Sequence, residues 1–451
     1  MHFDLLIRGG TLVSSFGTEE ADIGVSGRMI TRIGNLAQAK ATKVLNAKGL
    51  YVLPGVIDTQ VHFREPGMEH KEDLESGTRA AILGGVTTIF EMPNTQPTTS
   101  TEAALADKLE RARGRAWCDY SFFVGATQEN VRQLIELEKL PGTPGVKIFM
   151  GSSTGSLLVS EDDVLRRVLI SGIRRCSIHA EDEPRLRVRR ALVEGEGVPH
   201  RMHPVWRDPE AARLATERIL ALSEETGRPV HILHISTLDE LPLLQSAKRR
   251  GLGTTCEVTP QHLWFFGPDC YDRLGSKVQM NPPIREIEHR AALREALQSG
   301  LFDVIGSDHA PHTIEEKANP YPQSPSGMPG VQTLLPVMVT LARRDGLLSL
   351  NKLVRLTSEN PAKLFGLKDK GFLMEDYVAD FVLIDPNAEF VPDSNWLQSK
   401  SGWSPYEGES LLGKPVHTVL GGQVVVEEGT LVGKPQGQPA EFKWKEPSPT
   451  D

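Results

Sequence analysis

Apolar positions in this chain fall into two textures. Over the first fifty residues they form short runs split by tight turns: "FDLLIRGGTLV" breaks at a glycine pair, "ADIGVSGRMITRIG" breaks at Ser-Gly, and "KVLNAKGLYVLPG" closes the series. Such breaks predict short strands joined by turns. The same texture returns near the end in "ADFVLID" and "HTVLGGQVVVEEGTLVG". Between the two ends, apolar runs alternate with charged segments of helical period. Eight runs read as strands: "GVIDTQVHF", "GVTTIFEMPN", "CDYSFFVGA", "GVKIFMGSS", "RCSIHAED", "RPVHILHIS", "TTCEVTPQ" and "FDVIGSDHA". Each is followed by a candidate helix, such as "DPEAARLATERILALSEETG".

Eight strand–helix units in about 300 residues predict an α/β fold of the (β/α)8 TIM-barrel type, because parallel strands need helical crossovers of that length. A doubly wound open sheet fits the same alternation. The expected division puts the barrel at 54–365. A small β-sandwich-like domain is built from both chain ends, 1–53 and 366–434, and 435–451 forms a tail rich in Pro, Lys and Glu, flexible or draped on the surface.

Composition narrows the class without naming a chemistry. The 451 residues are 39% hydrophobic and 24% charged, an ordinary globular balance. A net charge of −9 argues against a dedicated nucleic-acid binder. Cys118, Cys176, Cys256 and Cys270 are far apart with no CxxC spacing, which predicts reduced thiols. The start "MHFDLLIRGG" does not read as a signal peptide, and no run approaches the roughly 20 apolar residues of a membrane span. A cytoplasmic protein without nucleic-acid or membrane partners is expected.

The chemistry enters where polar residues fall at strand ends. His62, Lys147, His179, His234 and Asp308 stop strands one, four, five, six and eight, and in a barrel those C-terminal ends meet at one mouth. Imidazoles with a carboxylate suit a borderline ion such as Zn²⁺. Singly, each residue has a plainer use. A lone histidine is more often a hydrogen-bonded core or surface residue, Asp308 could cap a helix, and Lys147 could pair with Asp308 or Glu181. His231 and His234 compete for the mouth from one strand. Lys147 is the hardest to set aside, because an amine inside an apolar strand is costly unless paired or neutralised.

Taken in order, "GVIDTQVHFREPG", "EMPNT", "GVKIFMGSSTG", "IHAEDE", "HILHIST", "MNPPIR" and "IGSDHAPH" resemble the cyclic-amide hydrolases of the amidohydrolase superfamily, the dihydroorotases in particular. The resemblance implies one or two zinc ions. It implies that Lys147 reacts with CO2 to give an N6-carboxylysine bridging them, with His179 and His234 at the inner ion and His62 and Asp308 at the outer. It makes Asp308 the general acid/base, and Arg64, Asn94, Asn281 and His312 the substrate-binding set. Strand alternation would aim Arg64 to the same side as His62. Arg285 could equally lie on the surface, and "PRLRVRRALVEGEGVPHRMHPVWRDP" reads as a solvated helix face or partner surface.

One position departs from the family. Gln60 stands where the pattern has the first histidine of an HxH pair, and its amide oxygen is a weaker ligand for zinc-like ions. The resemblance therefore implies reversible hydrolysis of (S)-dihydroorotate to N-carbamoyl-L-aspartate in pyrimidine synthesis. Two rivals stand beside it: a hydantoinase- or allantoinase-type hydrolase, and a silent companion of aspartate transcarbamoylase. A homo-oligomer, dimer or tetramer, is also implied.

Overall fold

The computed structural model describes residues 1–152 and 157–443. Part of the motif "GVKIFMGSSTG" and the tail beyond Lys443 therefore lie outside the described residues. The central body has eight strands: β1 (Val56–Val61), β2 (Val86–Glu91), β3 (Asp119–Phe122, continued by Val124–Gly125), β4 (Val146–Phe149), β5 (Cys176–His179), β6 (Val230–Ile232), β7 (Thr255–Val258) and β8 (Val304–Ile305). Every neighbouring pair from β1 to β8 is parallel. The ring closes where Val61 bridges His309 and the His62 N–H donates to His309 O at 2.7 Å. That closure removes the open-sheet alternative.

These strands read as unbroken apolar runs because helices cover one face and the barrel core fills the other. Local chemistry sets the helix limits. In Pro209–Thr226, Asp208 accepts from Ala211 N, proline opens the first turn, and Gly227 ends the helix at φ 71°. In Leu74–Leu83, Asp73 and Ser76 form a capping box.

The chain ends meet in one nine-stranded sheet. Phe381–Ile384 pairs antiparallel with Tyr51–Pro54, so residues more than 300 apart share a ladder. The long strand His2–Ser14 pairs with Lys40–Asn46 over its first half and with Tyr51–Pro54 further along. Its core includes Leu5, Ile7, Ile23, Val25, Phe381 and Val419.

After this sheet the chain returns to the barrel. Gly437 N–H donates to Ala116 O, Ala440 N–H to Tyr120 O, and Lys443 N–H to Gly366 O. All four cysteines are free and buried. Among the described residues, no helix is long and apolar enough to cross a membrane.

Candidate active site

The C-terminal ends of the strands surround a small cavity lined by Gln60, His62, Arg64, Asn94, Phe149, His179, His234, Asn281, Asp308, Ala310, Ser326 and Gly327. Lys147 and His312 are buried outside this lining. Arg64, His234 and Asp308 hold left-handed backbone at φ 65°, 39° and 46°. Such backbone costs a non-glycine residue about 1–3 kcal/mol, and it recurs where side chains are aimed for function. It also replaces the alternation argument: β1 ends at Val61, so the turn at Arg64, not the strand pleat, points its side chain.

The inner floor is built by β4, β5 and β6. His179 Nδ1 and His234 Nε2 lie 3.0 Å apart. Behind His179, Nε2 lies 2.9 Å from Glu181 Oε2, and Arg207 clamps Glu181 with Nη2–Oε2 at 2.5 Å. Burial alone would raise the Glu181 pKa, but Arg207 and His179 hold it below the ordinary carboxylate range. A charged acceptor there fixes the proton on His179 Nε2 and leaves Nδ1 as a lone pair toward His234. Burial lowers both imidazole pKa values, so both rings are neutral.

Lys147 is 1% exposed, and its ammonium sits 4.5 Å from the centre of the Phe149 ring. The ion pair with Asp308 or Glu181 does not form among the described residues; Glu181 belongs to Arg207, and Asp308 to Gln60 and His62. Burial brings the Lys147 pKa down to about 7, against the pull of Asp308 and Glu257. A neutral amine is the form that reacts with CO2.

The outer corner pairs its groups only in part. Gln60 Nε2 donates to Asp308 Oδ1 at 2.9 Å, and His62 Nε2 lies 3.3 Å from the same oxygen. His62 Nδ1 donates to Asn94 Oδ1 at 2.7 Å, which leaves Nε2 bare. Gln60 Oε1 is buried with no partner among the described residues. Burial is the main reason that the Asp308 pKa rises to about 7, with Glu257 adding to it.

Among the described residues, no group of three or more His, Cys, Asp or Glu side chains is set to hold a metal ion. The chemistry of the inner set explains this. It contains two imidazoles and a lysine, and an amine becomes an anionic oxygen donor only as a carbamate. With that modification, the bare Nδ1, the facing Nε2 and the unpaired amine fit one ion.

Arg64 forms one wall of the cavity. Its Nε donates to Pro311 O at 3.2 Å, Nη2 lies 3.2 Å from His312 Nε2, and Nη1 is buried without a partner among the described residues. His312 is wedged between Arg64 and Lys71, whose Nζ is 3.0 Å from Nδ1. Burial brings the His312 pKa down to about 3.

His231 turns away from the mouth and bonds Thr255 Oγ1 at 2.9 Å, which settles its competition with His234. Arg285 is not a surface residue: it is 2% exposed and donates to Ser236 Oγ and Arg207 O. The charged run is only partly a solvated face, because His203 and Arg207 within it are buried against the site.

Sequence reading passed over Lys317 entirely. It is 1% exposed and donates to Pro325 O, Gly327 O and Gln279 O at 2.8, 2.9 and 3.3 Å, tying together the loops that carry Ser326 and Asn281. A Cβ on Gly327 would fall 2.3 Å from Ala310 O, so only glycine lets that loop close.

An amidohydrolase family model matches residues 51–425. A dihydroorotase of Methanosarcina mazei is 36% identical over 445 residues, covering 96% of each chain. One of Halobacterium salinarum is 35% identical over 420 residues, covering 91% of this chain and 94% of the other. Among solved structures, the L-hydantoinase (dihydropyrimidinase) of Arthrobacter aurescens superposes with a TM-score of 0.91 at 30% identity, over 96% of this chain and 98% of that one. A dihydropyrimidinase from Brevibacillus agri gives 0.88 at 30% identity, over 95% and 96%. The chain belongs to the amidohydrolase family, among its hydrolases of cyclic amide bonds.

Proposed function

We propose that this chain is a dihydroorotase, opening the ring of (S)-dihydroorotate to N-carbamoyl-L-aspartate and closing it in reverse. The observation that carries the reading is Arg64 Nη1, a buried guanidinium N–H on the cavity wall with no partner among the described residues. Burial lowers the Arg64 pKa only to about 10, so the group stays charged and calls for an anion. Dihydroorotate brings a carboxylate beside its ring; hydantoin and dihydrouracil bring none. Sequence relatives named dihydroorotase support the same choice.

Lys147 as a carbamate, His179 Nδ1 and His234 Nε2 would hold one zinc-like ion. Bound there, the ion supplies an activated water and polarises the ring carbonyl. Asp308, poised near neutrality, takes the proton of the attacking water and delivers it to the departing ring nitrogen. Glu181, through His179, keeps the lone pair aimed. Arg64, with Asn94 and Asn281 on the same wall, holds the substrate so that the scissile carbonyl faces the floor. His312 backs Arg64.

A second reading has its own support, because the solved structures reported above are a hydantoinase and a dihydropyrimidinase. Assaying dihydroorotate, dihydrouracil, hydantoin and allantoin side by side separates the two. Turnover of dihydroorotate at least tenfold above the neutral rings supports the dihydroorotase reading. Preference for a neutral ring overturns it. Silence toward all four, with co-elution on aspartate transcarbamoylase, would make the chain a structural companion instead.

A further inference from the structure

Behind the substrate wall lies a buried histidine that the chemistry above does not use. His203 opens the short helix His203–Trp206, is 1% exposed, and meets Asn281 across 78 residues of chain. Its Nε2 lies 2.9 Å from Met280 O and 3.0 Å from Asn281 Oδ1. A backbone carbonyl only accepts, so Nε2 carries the proton. That leaves one orientation for the asparagine. Its oxygen must face His203, because an amide NH2 there would meet another donor. The Nδ2 end is what remains for the cavity that Asn281 lines.

The other side of the ring closes the argument. Nδ1 lies 3.2 Å from the hydroxyl of Tyr321, itself 2% exposed. Burial brings the His203 pKa down to about 3, so the ring is neutral, Nδ1 is bare, and the hydroxyl donates to it. The chain from Tyr321 through His203 to Asn281 thus runs in one direction, with its last donor left for the cavity.

We infer that His203 is a positioning residue that fixes the hydrogen-bonding polarity of Asn281, so that the cavity offers substrate an amide N–H in addition to Arg64 Nη1. The inference rests on the dihydroorotate reading and deepens it. Two donors suit an acceptor-only edge such as a carboxylate, and a ring N–H at that place would meet a like group.

The test uses the full-length, metal-loaded protein and reads KM, kcat and bound metal with dihydroorotate. His203→Leu removes the donor and should raise KM about tenfold, with kcat and metal content little changed. His203→Gln keeps an N–H in that direction and should bring KM most of the way back. Asn281→Asp keeps the shape but places an anion where the donor was, and should raise KM about a hundredfold. It leaves His203 in place, so it decides the matter if the leucine variant fails to fold. Equal KM effects in the leucine and glutamine variants, or a wild-type KM in Asn281→Asp, overturn the inference. A wild-type enzyme inactive on dihydroorotate but active on dihydrouracil overturns the substrate reading instead. The same variants assayed on dihydrouracil then decide whether His203 sets polarity.

Discussion

The two halves of the cavity floor hold their carboxylates in different ways. On the inner side, Arg207 charges Glu181, Glu181 holds the His179 Nε2 proton, and a bare Nδ1 is left facing His234, above an amine with no ion pair. On the outer side, Gln60 Nε2 donates to Asp308 and His62 Nδ1 to Asn94, which leaves His62 Nε2 bare and Gln60 Oε1 without a partner among the described residues. The inner half has a carboxylate fixing the tautomer behind its open nitrogen; in the outer half the carboxylate already has an amide donor. A single exchange, glutamine at position 60, separates them: its NH2 neutralises by hydrogen bonding the carboxylate that would otherwise need a positive partner.

The largest expected effect comes from removing Asp308, the proposed proton carrier between the halves. Asp308→Ala should lower kcat by about 10²–10⁴ while the inner site keeps its metal, measured by steady-state assay with elemental analysis. A near-normal rate would deny Asp308 its role. Lys147→Ala strikes the inner half alone. It should empty the site and lower the rate to a similar extent, with partial rescue of both by a short-chain carboxylic acid. Full metal content in that variant would show that the amine is not a ligand.

Glu181→Gln leaves the imidazoles in place but loosens the hold on the His179 tautomer. Metal affinity should fall about 10–100-fold in a chelator competition, the usual effect of losing a carboxylate behind a ligating histidine. An unchanged affinity would mean that Arg207 and Glu181 serve packing only. The smallest effect on rate belongs to Gln60→His. It exchanges the amide for an imidazole beside Asp308 and should raise bound metal from about one to about two per chain, with kcat moving less than about tenfold. Two metals already present in the wild type would erase the contrast between the halves.

How much of this was readable beforehand depends on the range of the forces involved. Strand–helix alternation is local, and it correctly announced eight parallel strands and a sheet shared by both ends. Lys147 was conspicuous because a charge inside "GVKIFMG" breaks the apolar pattern around it. His203 and Lys317 broke no pattern. His203 sits in a charged run that reads as a solvated face or partner surface, Lys317 in a segment with no signal of its own, and only packing turned them inward.

By itself, then, the order of apolar and polar residues determined the barrel, the joined ends and the strand tips at which chemistry gathers, since burial acts residue by residue along the chain. Tertiary structure alone decided which atom each side chain presents. Gln60 meets Asp308 across 248 positions and Glu181 meets Arg207 across 26. Proton placement on a histidine, and the facing end of an amide, follow from partners that close in only when the ring of strands has shut.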